Sequence, residues 1–403
     1  MDNFRQFVEK FNRAEELLYP YPTGICKVDL NTLESNIKKL QDFGDLKAGK
    51  KLKFLLPVKG NGYGSGMIPV AKFVDKKKLC DYLGVAHIQE AHELKKEKIK
   101  TPILILAQSF LGPEQISYIV KNNIEKTISD ISLLKTLDTD AKKQNKTASI
   151  HLKVDTGMGR LGVLAKDIPS IVKEIQKCNH VRLKGVMTHF PVADSPLPKD
   201  IAYTQRQITN FEDVKKQILS ITKNNDIIFH AANSGGTLEH PSSLFDMIRP
   251  GIATYGYPEP YGNGLSLKLE PVMQITSHIS LIKSYPKGHS IGYGRTYVSA
   301  GKELVGVVPI GYADGLDRRL GGGTFTPILN KKKTLSVGRI SMDQFCVKVG
   351  RKTKEGDEII LLGKSGKLSN TAQDIAGKIG TISYEVLCNL GNSKRMRHEY
   401  FYQ

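Results

Sequence analysis

The sequence lacks the cysteine pattern of a disulfide-stabilised or zinc-binding protein. It contains five cysteines, an odd number, and no two of them stand at C-x-x-C spacing. This pattern argues against a disulfide framework and against a zinc cluster. We therefore predict reduced thiols and no metal site.

Long apolar runs are also missing. The N-terminal segment MDNFRQFVEKFNRAEELL is charged throughout and has no apolar core of signal-peptide type. No stretch approaches the roughly 18 apolar residues that a membrane span requires. We predict a cytoplasmic protein that has no membrane partner.

Acidic residues are scarce beside basic ones: 40 Asp and Glu stand against 59 Lys and Arg, for a formal net charge of +19. Such an excess can indicate nucleic-acid binding. Here the charges form short scattered runs without interleaved aromatics, and no helix-turn-helix, zinc-finger or RRM signature is present. We interpret them as a solvated surface that attracts small anions. Binding to nucleic acid remains a remote alternative that rests on charge alone.

The 403 residues are too many for one ordinary core, and the pattern of apolar and polar residues divides the chain into three parts. Residues 1–23 read as a polar, helical lead-in. From 24 to 265, short apolar runs such as KFLLPV and PILILAQ alternate with helical segments, which is typical of a parallel sheet buried on both faces. About eight such units fit, so we predict an α/β fold with a TIM-like (β/α)₈ barrel over 24–265.

The remaining residues, 266–403, have a different pattern. Strand-like segments such as ELVGVVPIGY and DEIILLG follow one another closely, and Gly and Lys turns separate them. This spacing predicts a mostly β domain, with one helix near NTAQDIAGKIG.

Polar residues cluster at the predicted carboxyl ends of the barrel strands. Barrel enzymes place their chemistry at that face because the strand ends converge on one mouth. The residues are Lys59, Arg160, His189, Asn233, Ser234 and Arg249.

Lys59 closes an apolar strand in PVKGNGYGSG. Desolvation lowers the pKa of an amine, which suits a Schiff-base nucleophile. The neighbouring glycines let the backbone approach a ligand closely. A lysine that extends to the surface beside a flexible turn fits this segment equally well.

Candidate phosphate ligands are N–H donors and neutral hydroxyls in glycine-containing turns. No P-loop pattern is present, which argues against nucleotide phosphate. Taken singly, each candidate is better explained as an ordinary loop residue. The candidates are Ser234, Gly251, Ile252, Tyr63 and Tyr384.

Lys153 and Arg160 flank VDTGMGR and need an anion nearby, either a substrate carboxylate or Asp155. Arg249 either faces a ligand or forms an interdomain salt bridge. His189 alone is better explained as a core histidine. Three residues of the second domain would, singly, be dismissed as ordinary turn residues: Tyr293, Tyr312 and Met342.

Together these segments resemble alanine racemases, which are fold-type III pyridoxal-phosphate (PLP) enzymes. The likeness runs over nearly the whole chain in the same order. It is carried by VKGNGYGSG, LKVDTGMGRLGV, THF, HAANSGGTL, IRPGIATYG, YGRTY, PIGYADG, VGRISMDQ and TISYEV. LKVDTGMGRLG and VGRISMDQ are the most specific of these segments.

The resemblance implies a reaction, the interconversion of L-alanine and D-alanine that supplies D-alanine for peptidoglycan. Lys59 would hold PLP as an internal aldimine and act as one base. Tyr293 would be the other base, on the opposite face of the cofactor. Arg249 would face the pyridine nitrogen. The implied phosphate ligands are Tyr63, Ser234, Gly251, Ile252 and Tyr384.

Further roles follow from the same resemblance. Arg160 and the Met342 N–H would bind the substrate carboxylate, and His189 would link Tyr293 to Arg249. Lys153 matches a lysine that is carbamylated in many members. Family members are homodimers in which the tyrosine base and the methionine come from the partner chain. The implied substrate entryway comprises Tyr312, Arg318, Arg339, Ile382 and Tyr384.

The sequence departs from the family pattern at three places. Gly60, Gly62 and Ser65 replace the usual Ala, Ala and His, Ser341 stands where Cys is frequent, and the tail lacks the Arg-Val-Pro-Arg ending. Two alternatives stay open. One is a racemase for serine or a broader set of amino acids. The other is a PLP-homeostasis protein, which shares the barrel but not the β domain.

Overall fold

The computed structural model describes residues 2–258 and 261–402. The helices are α1 (Asp2–Leu18), α2 (Leu30–Ala48), α3 (Lys59–Tyr63), α4 (Met67–Lys77), α5 (Ile88–Lys96), α6 (Pro113–Lys121), α7 (Leu134–Lys143), α8 (Ile168–Gln176), α9 (Pro198–Thr222), α10 (Ser234–Glu239), α11 (Ala372–Ile379) and α12 (Ser383–Gly391).

The strands divide between a barrel and a second, mostly antiparallel region. They are β1 (Gly24–Asp29), β2 (Lys53–Pro57), β3 (Tyr82–Val85), β4 (Ile103–Ile105), β5 (Glu125–Ile128), β6 (Ala148–Asp155), β7 (Val163–Leu164), β8 (Val181–Met187), β9 (Ile228–His230), β10 (Met247–Ile248), β11 (Met273–His278), β12 (Leu281–Tyr285), β13 (Ser290–Ile291), β14 (Tyr297–Val298), β15 (Glu303–Val308), β16 (Ile328–Leu329), β17 (Lys332–Lys333), β18 (Ser336–Val337), β19 (Phe345–Lys348), β20 (Glu358–Ser365), β21 (Leu368–Asn370) and β22 (Met396–Phe401).

Eight parallel strands form the barrel. The order is β10-β2-β3-β4-β5-β6-β8-β9, and short β7 pairs with the side of β6. Two backbone hydrogen bonds bring the ends of this sheet together: Asp246 N–H donates to Phe229 O and Arg249 N–H to Ala232 O, each at 2.9 Å. The nearly closed barrel confirms the predicted fold class.

The first strand belongs to the other sheet. β1 pairs antiparallel with β11 and parallel with β22, in the order β17-β16-β20-β11-β1-β22. Its residues alternate between buried and half-buried, as in a sheet with one covered face, whereas the barrel strand β3 is buried throughout. The predicted domain limits at 23/24 and 265/266 stay predictions, but residues 24–29 hydrogen-bond within the second sheet.

The rest of the second region is antiparallel, which confirms the mostly β domain. β12, β15, β19 and β18 form one sheet, and β13 and β14 form a short hairpin. Helix α11 lies where NTAQDIAGKIG predicts it. Among the described residues, no helix combines the length and the apolar character that crossing a membrane demands.

Candidate active site

A cavity of about 140 Å³ opens at the carboxyl ends of the barrel strands. It brings together ten of the residues singled out from the sequence, from segments that lie far apart along the chain. Its lining is Pro57, Lys59, Tyr63, Leu106, Lys153, Arg160, Leu161, Met187, His189, Asn233, Ser234, Arg249, Gly251 and Tyr384.

The segment 59–66, which we name the Lys59 turn, has an unusual backbone. Gly60, Asn61 and Gly62 have φ values of 64°, 56° and 63°, and Tyr63 follows at 54°. The short helix α3 is therefore left-handed, a conformation that costs an L-residue roughly 1–2 kcal/mol and glycine almost nothing. The turn places the Lys59 and Tyr63 side chains on one cavity.

The environment of Lys59 disfavours its charged form. Its side chain reaches solvent through the cavity mouth, yet surrounding protein desolvates the amine and lowers its pKa. The positive charge of Arg160 lowers this pKa further, while Glu90 opposes the shift. A larger share of Lys59 is thus a free amine than for a lysine in water.

Glu90 is a contact that the sequence reasoning missed. Its carboxylate accepts the Gly60 N–H at 2.9 Å and the Ala86 N–H at 2.6 Å, so it joins the Lys59 turn to the loop after β3. Because Glu90 also closes the first turn of α5, no sequence signal separates this function from ordinary helix capping.

Hydroxyl groups and backbone line another wall of the cavity. The Tyr63 ring stacks on Tyr255 with centroids 4.8 Å apart, and a Cβ added at Gly251 would lie 2.3 Å from the Tyr63 hydroxyl. Ser234 begins α10 and its Oγ accepts the Ala253 N–H at 3.2 Å. Of the predicted phosphate ligands, only Ile252 is absent from the lining.

Arg249 is buried and held by neutral acceptors. Its guanidinium donates to Thr188 O at 2.9 Å, to Ala231 O at 2.8 Å and to His230 Nδ1 at 3.1 Å, and His189 Nδ1 lies 3.4 Å away. The interdomain salt bridge considered for Arg249 is therefore not formed within the described residues. Burial lowers the pKa of Arg249 to about 9, which leaves it cationic at neutral pH.

Behind Arg249, a hydrogen-bonded chain crosses the barrel interior. His230 Nε2 lies 2.8 Å from His151 Nδ1, and His151 Nε2 lies 2.7 Å from the Glu125 carboxylate. Arg249 donates to His230 Nδ1, so the N–H of His230 is on Nε2 and donates to His151 Nδ1. The N–H of His151 is then on Nε2 and donates to the Glu125 carboxylate. The sequence held one signal: His151 is two residues before Lys153 and so faces the same side of β6.

Lys153 and Arg160 are not neutralised by the nearest acid. Asp155 instead accepts the N–H groups of Gly157 and Gly159 at 2.9 and 3.1 Å. Lys153 Nζ is buried and has no hydrogen-bond partner among the described residues. Burial and the positive charge of Arg249 put the pKa of Lys153 well below its ordinary value.

Apart from Tyr384, the residues predicted from the second domain lie elsewhere. Tyr293 is 70% exposed, Met342 52% and Tyr312 43%, and none of them is among the residues that line the Lys59 cavity. Two backbone hydrogen bonds join their segments, from Tyr312 to Ser341 O and from Ala313 to Met342 O. Arg318, Arg339 and Ile382 are likewise exposed.

The cavity suits the cofactor that the sequence resemblance implies. Its lining carries four basic side chains and no carboxylate, so it favours an anionic group such as a phosphate ester. An amine with a lowered pKa stands at its mouth, which is what binding an aldehyde requires.

Comparisons with known proteins agree along the chain. The family described as "Alanine racemase, N-terminal domain" matches residues 28–259, and "Alanine racemase, C-terminal domain" matches 272–400. Alanine racemase from Treponema denticola is 39% identical over 369 residues, which cover 90% of this chain and 94% of the relative. The protein of that name from Symbiobacterium thermophilum is 35% identical, covering 93% and 96%.

Solved structures show the same two-part architecture. Alanine racemase from Streptomyces coelicolor superposes with a TM-score of 0.86 at 29% identity, over 97% of this chain and all of that one. Alanine racemase from Streptomyces lavendulae gives 0.85 at 30% identity, covering 94% and 97%. With both regions matched, the chain belongs to the alanine racemase family, whose members are PLP-dependent isomerases acting on amino acids.

Proposed function

We propose that this chain interconverts L-alanine and D-alanine with PLP bound in the Lys59 cavity. Lys59 of one copy and Tyr293 of a second copy would act as bases on opposite faces of the cofactor. One observation carries this proposal: the predicted cofactor ligands other than Ile252 line one cavity, while the predicted second base is exposed and lies outside that lining. The general role of the family, supply of D-alanine for peptidoglycan, follows from the reaction.

Different residues of the cavity are proposed to bind the phosphate and the pyridine ring of the cofactor. Tyr63, Ser234, Gly251 and Tyr384 would hold the phosphate, and Ile252 would contribute its backbone next to Gly251. Arg249 would lie beside the pyridine nitrogen and, being cationic, would offer that nitrogen no acceptor for a proton. When bound, the cofactor withdraws electrons from the α-carbon of the amino acid and so makes its C–H bond acidic.

Lys59 and Tyr293 move the α-proton. The lowered pKa of Lys59 increases the share of its free amine, the form that accepts a proton. Racemization requires removal of the proton from one face and delivery to the other, so one base on each face suffices. His189 lies beside Arg249 and is proposed to connect it to Tyr293 of the second copy.

The substrate carboxylate is bound by Arg160 and by the Met342 N–H of the second copy. That N–H has no acceptor within the part of the chain that the structure describes. The exposed residues Tyr312, Arg318 and Arg339, together with Ile382 and Tyr384, form the entryway to a site completed by dimerization.

Lys153 is proposed to be carbamylated. Only a neutral amine attacks CO₂, and the depressed pKa of Lys153 provides one. The nitrogen forms a bond to carbon, a proton leaves to solvent, and the carbamate gains a negative charge. That charge would pair with Arg160. It would also explain why the buried Lys153 Nζ has no hydrogen-bond partner among the described residues.

A mixed-dimer experiment tests the shared site. Lys59→Ala and Tyr293→Phe proteins, each inactive alone, are unfolded together, refolded and assayed for D-alanine. Random pairing makes half the dimers mixed, and each mixed dimer has one intact site, so about a quarter of wild-type activity should return. No recovery would mean that Lys59 and Tyr293 act within one chain. Formation of D-serine at a rate equal to that of D-alanine would favour the broader racemase.

The proposed location is the cytoplasm. All five cysteines are unpaired in the structure, which fits a reducing compartment.

A further inference from the structure

Strand β22 lies at the edge of its sheet. It pairs with β1 along one side only, in a register that runs from Gly24↔Met396 to Asp29↔Phe401. An edge strand presents a row of unpaired N–H and C=O groups on its other side.

Helix α1 covers that open side with side chains. Asn12 accepts the Tyr400 N–H at 2.8 Å and donates to Tyr400 O at 2.9 Å, which copies the pair of hydrogen bonds that a neighbouring strand would make. One turn later, Glu15 accepts the His398 N–H at 3.2 Å. The helix therefore takes the place of the missing strand.

The first turn of α1 also binds the helix that follows the Lys59 turn. Phe4 packs edge-on against Phe73 of α4, with ring centroids 5.8 Å apart, and against Tyr402 at 5.4 Å. Lys76 Nζ lies 4.3 Å from the centre of the Phe4 ring. Helix α1 thus connects β22 to α4.

On its covered face, β22 contacts the Lys59 turn directly. His398 Nε2 lies 3.0 Å from Gly64 O. The Tyr400 hydroxyl packs so tightly on Gly66 that a Cβ added there would lie 2.1 Å from it. The backbone groups held by α1 and the side chains that touch the turn belong to the same two residues, His398 and Tyr400.

We propose that Asn12 and Glu15 are positioning residues for the cofactor site: α1 fixes β22, and β22 holds the Lys59 turn in its cofactor-binding conformation. The turn needs such support because consecutive left-handed residues persist only where their surroundings enforce them. Helix α1 lies outside both family matches, which begin at residues 28 and 272. The proposal rests on the assignment of the cofactor to the cavity beside Lys59 and Tyr63.

The test compares two full-length double variants. Asn12→Ala/Glu15→Ala removes the contacts with β22, and Arg13→Ala/Glu16→Ala changes the exposed neighbours on the same helix as the control. Amide hydrogen exchange of residues 59–66 is measured without cofactor. PLP release is followed on the loaded protein by the loss of its visible absorbance after dilution.

We expect exchange in 59–66 to become several-fold faster and PLP to leave several-fold faster in the first variant only. Exchange in β8, a barrel strand outside the sheet that contains β22, should be unchanged. His398→Ala should reproduce both effects. His398→Gln keeps a donor for Gly64 O, so its exchange and PLP release should lie closer to those of the wild type. Should the first variant prove too unstable, the Asn12→Ser and His398 variants carry the same test.

A lower melting temperature with unchanged exchange in 59–66 would overturn the proposal, because α1 would then only stabilise the fold. Faster exchange with unchanged PLP release would overturn the link to the cofactor. Lys59→Ala distinguishes the cause of that result: if this variant still holds PLP as tightly, the cofactor assignment itself is wrong.

Discussion

The barrel cavity and the exposed face of the second domain differ in how far each is built within one chain. Lys153, Arg249 and Tyr63 are at most 6% exposed and packed or hydrogen-bonded in place, whereas Tyr293 and Met342 are 70% and 52% exposed. The proposed cofactor pocket is thus preorganised within one chain. Tyr293 and Met342, which are proposed to act as the second base and to bind the substrate carboxylate, lie on an exposed surface that a second copy is proposed to cover.

The largest expected effect is a loss of activity, and it should be accompanied by loss of PLP in a barrel variant but not in a variant of the second domain. Lys59→Ala should lose both activity and stable PLP binding, whereas Tyr293→Phe should keep the cofactor and lose activity by about 10²–10⁴-fold, the usual contribution of a general base. Tyr293→Phe should also slow α-proton exchange of one enantiomer more than of the other. Absorbance, racemization and deuterium exchange are the measurements.

Tyr21→Phe is the matched control, since Tyr21 is 95% exposed and is not one of the proposed site residues. Equal slowing of exchange for both enantiomers would contradict the assignment of Tyr293 to one face.

A smaller effect concerns the charge balance of the cavity. Lys153→Met should reduce activity about tenfold, because loss of the carbamate removes a charge-assisted hydrogen bond of about 1.5 kcal/mol from Arg160. With ¹³C-labelled CO₂, the wild type should show a carbamate carbon signal that Lys153→Met lacks. A signal of equal intensity in the variant would place the label elsewhere.

A still smaller change should appear in pH dependence. Arg160 lowers the pKa of Lys59, so Arg160→Gln should raise it and leave more of the amine protonated at a given pH. The pH profile of PLP capture should therefore move to higher pH, but the lowered pKa should persist in part, because burial is its larger cause. The exposed Arg206→Gln serves as control, and a shift to lower pH would contradict the stated cause.

The smallest effect tests the left-handed turn. A Cβ at Gly62 meets no atom closer than 3.4 Å, so Gly62→Ala adds backbone strain without a clash. We expect a loss of about 1 kcal/mol in the free energy of unfolding. The left-handed backbone costs alanine roughly 1–2 kcal/mol, and the reduced freedom of the unfolded chain offsets only part of that cost. Urea unfolding measures it, with Gly49→Ala, at a similar φ of 64° in an open turn, for comparison.

The two regions also differed in how well the sequence predicted them. Alternation of apolar runs and helices predicted the barrel, and strand-end polarity predicted the cavity residues, because both patterns are local. The place of β1 was not predictable in this way, since its partners β11 and β22 lie more than 200 residues away. Nor did periodicity reveal the contacts of Glu90 or Glu125, whose roles depend on what folding brings beside them.

The position of β1 also bears on how the protein is made. The strand lies between β11 and β22, and the Thr23–Arg395 hydrogen bond beside it spans 372 residues. At about 5–20 residues per second, a ribosome needs tens of seconds to produce the second partner after the first strand emerges. The barrel can assemble during that interval, while Cys26 and Val28 of β1, which are fully buried in the folded protein, remain without their sheet. Early chaperone contact should therefore be most valuable at the N-terminal end of the nascent chain.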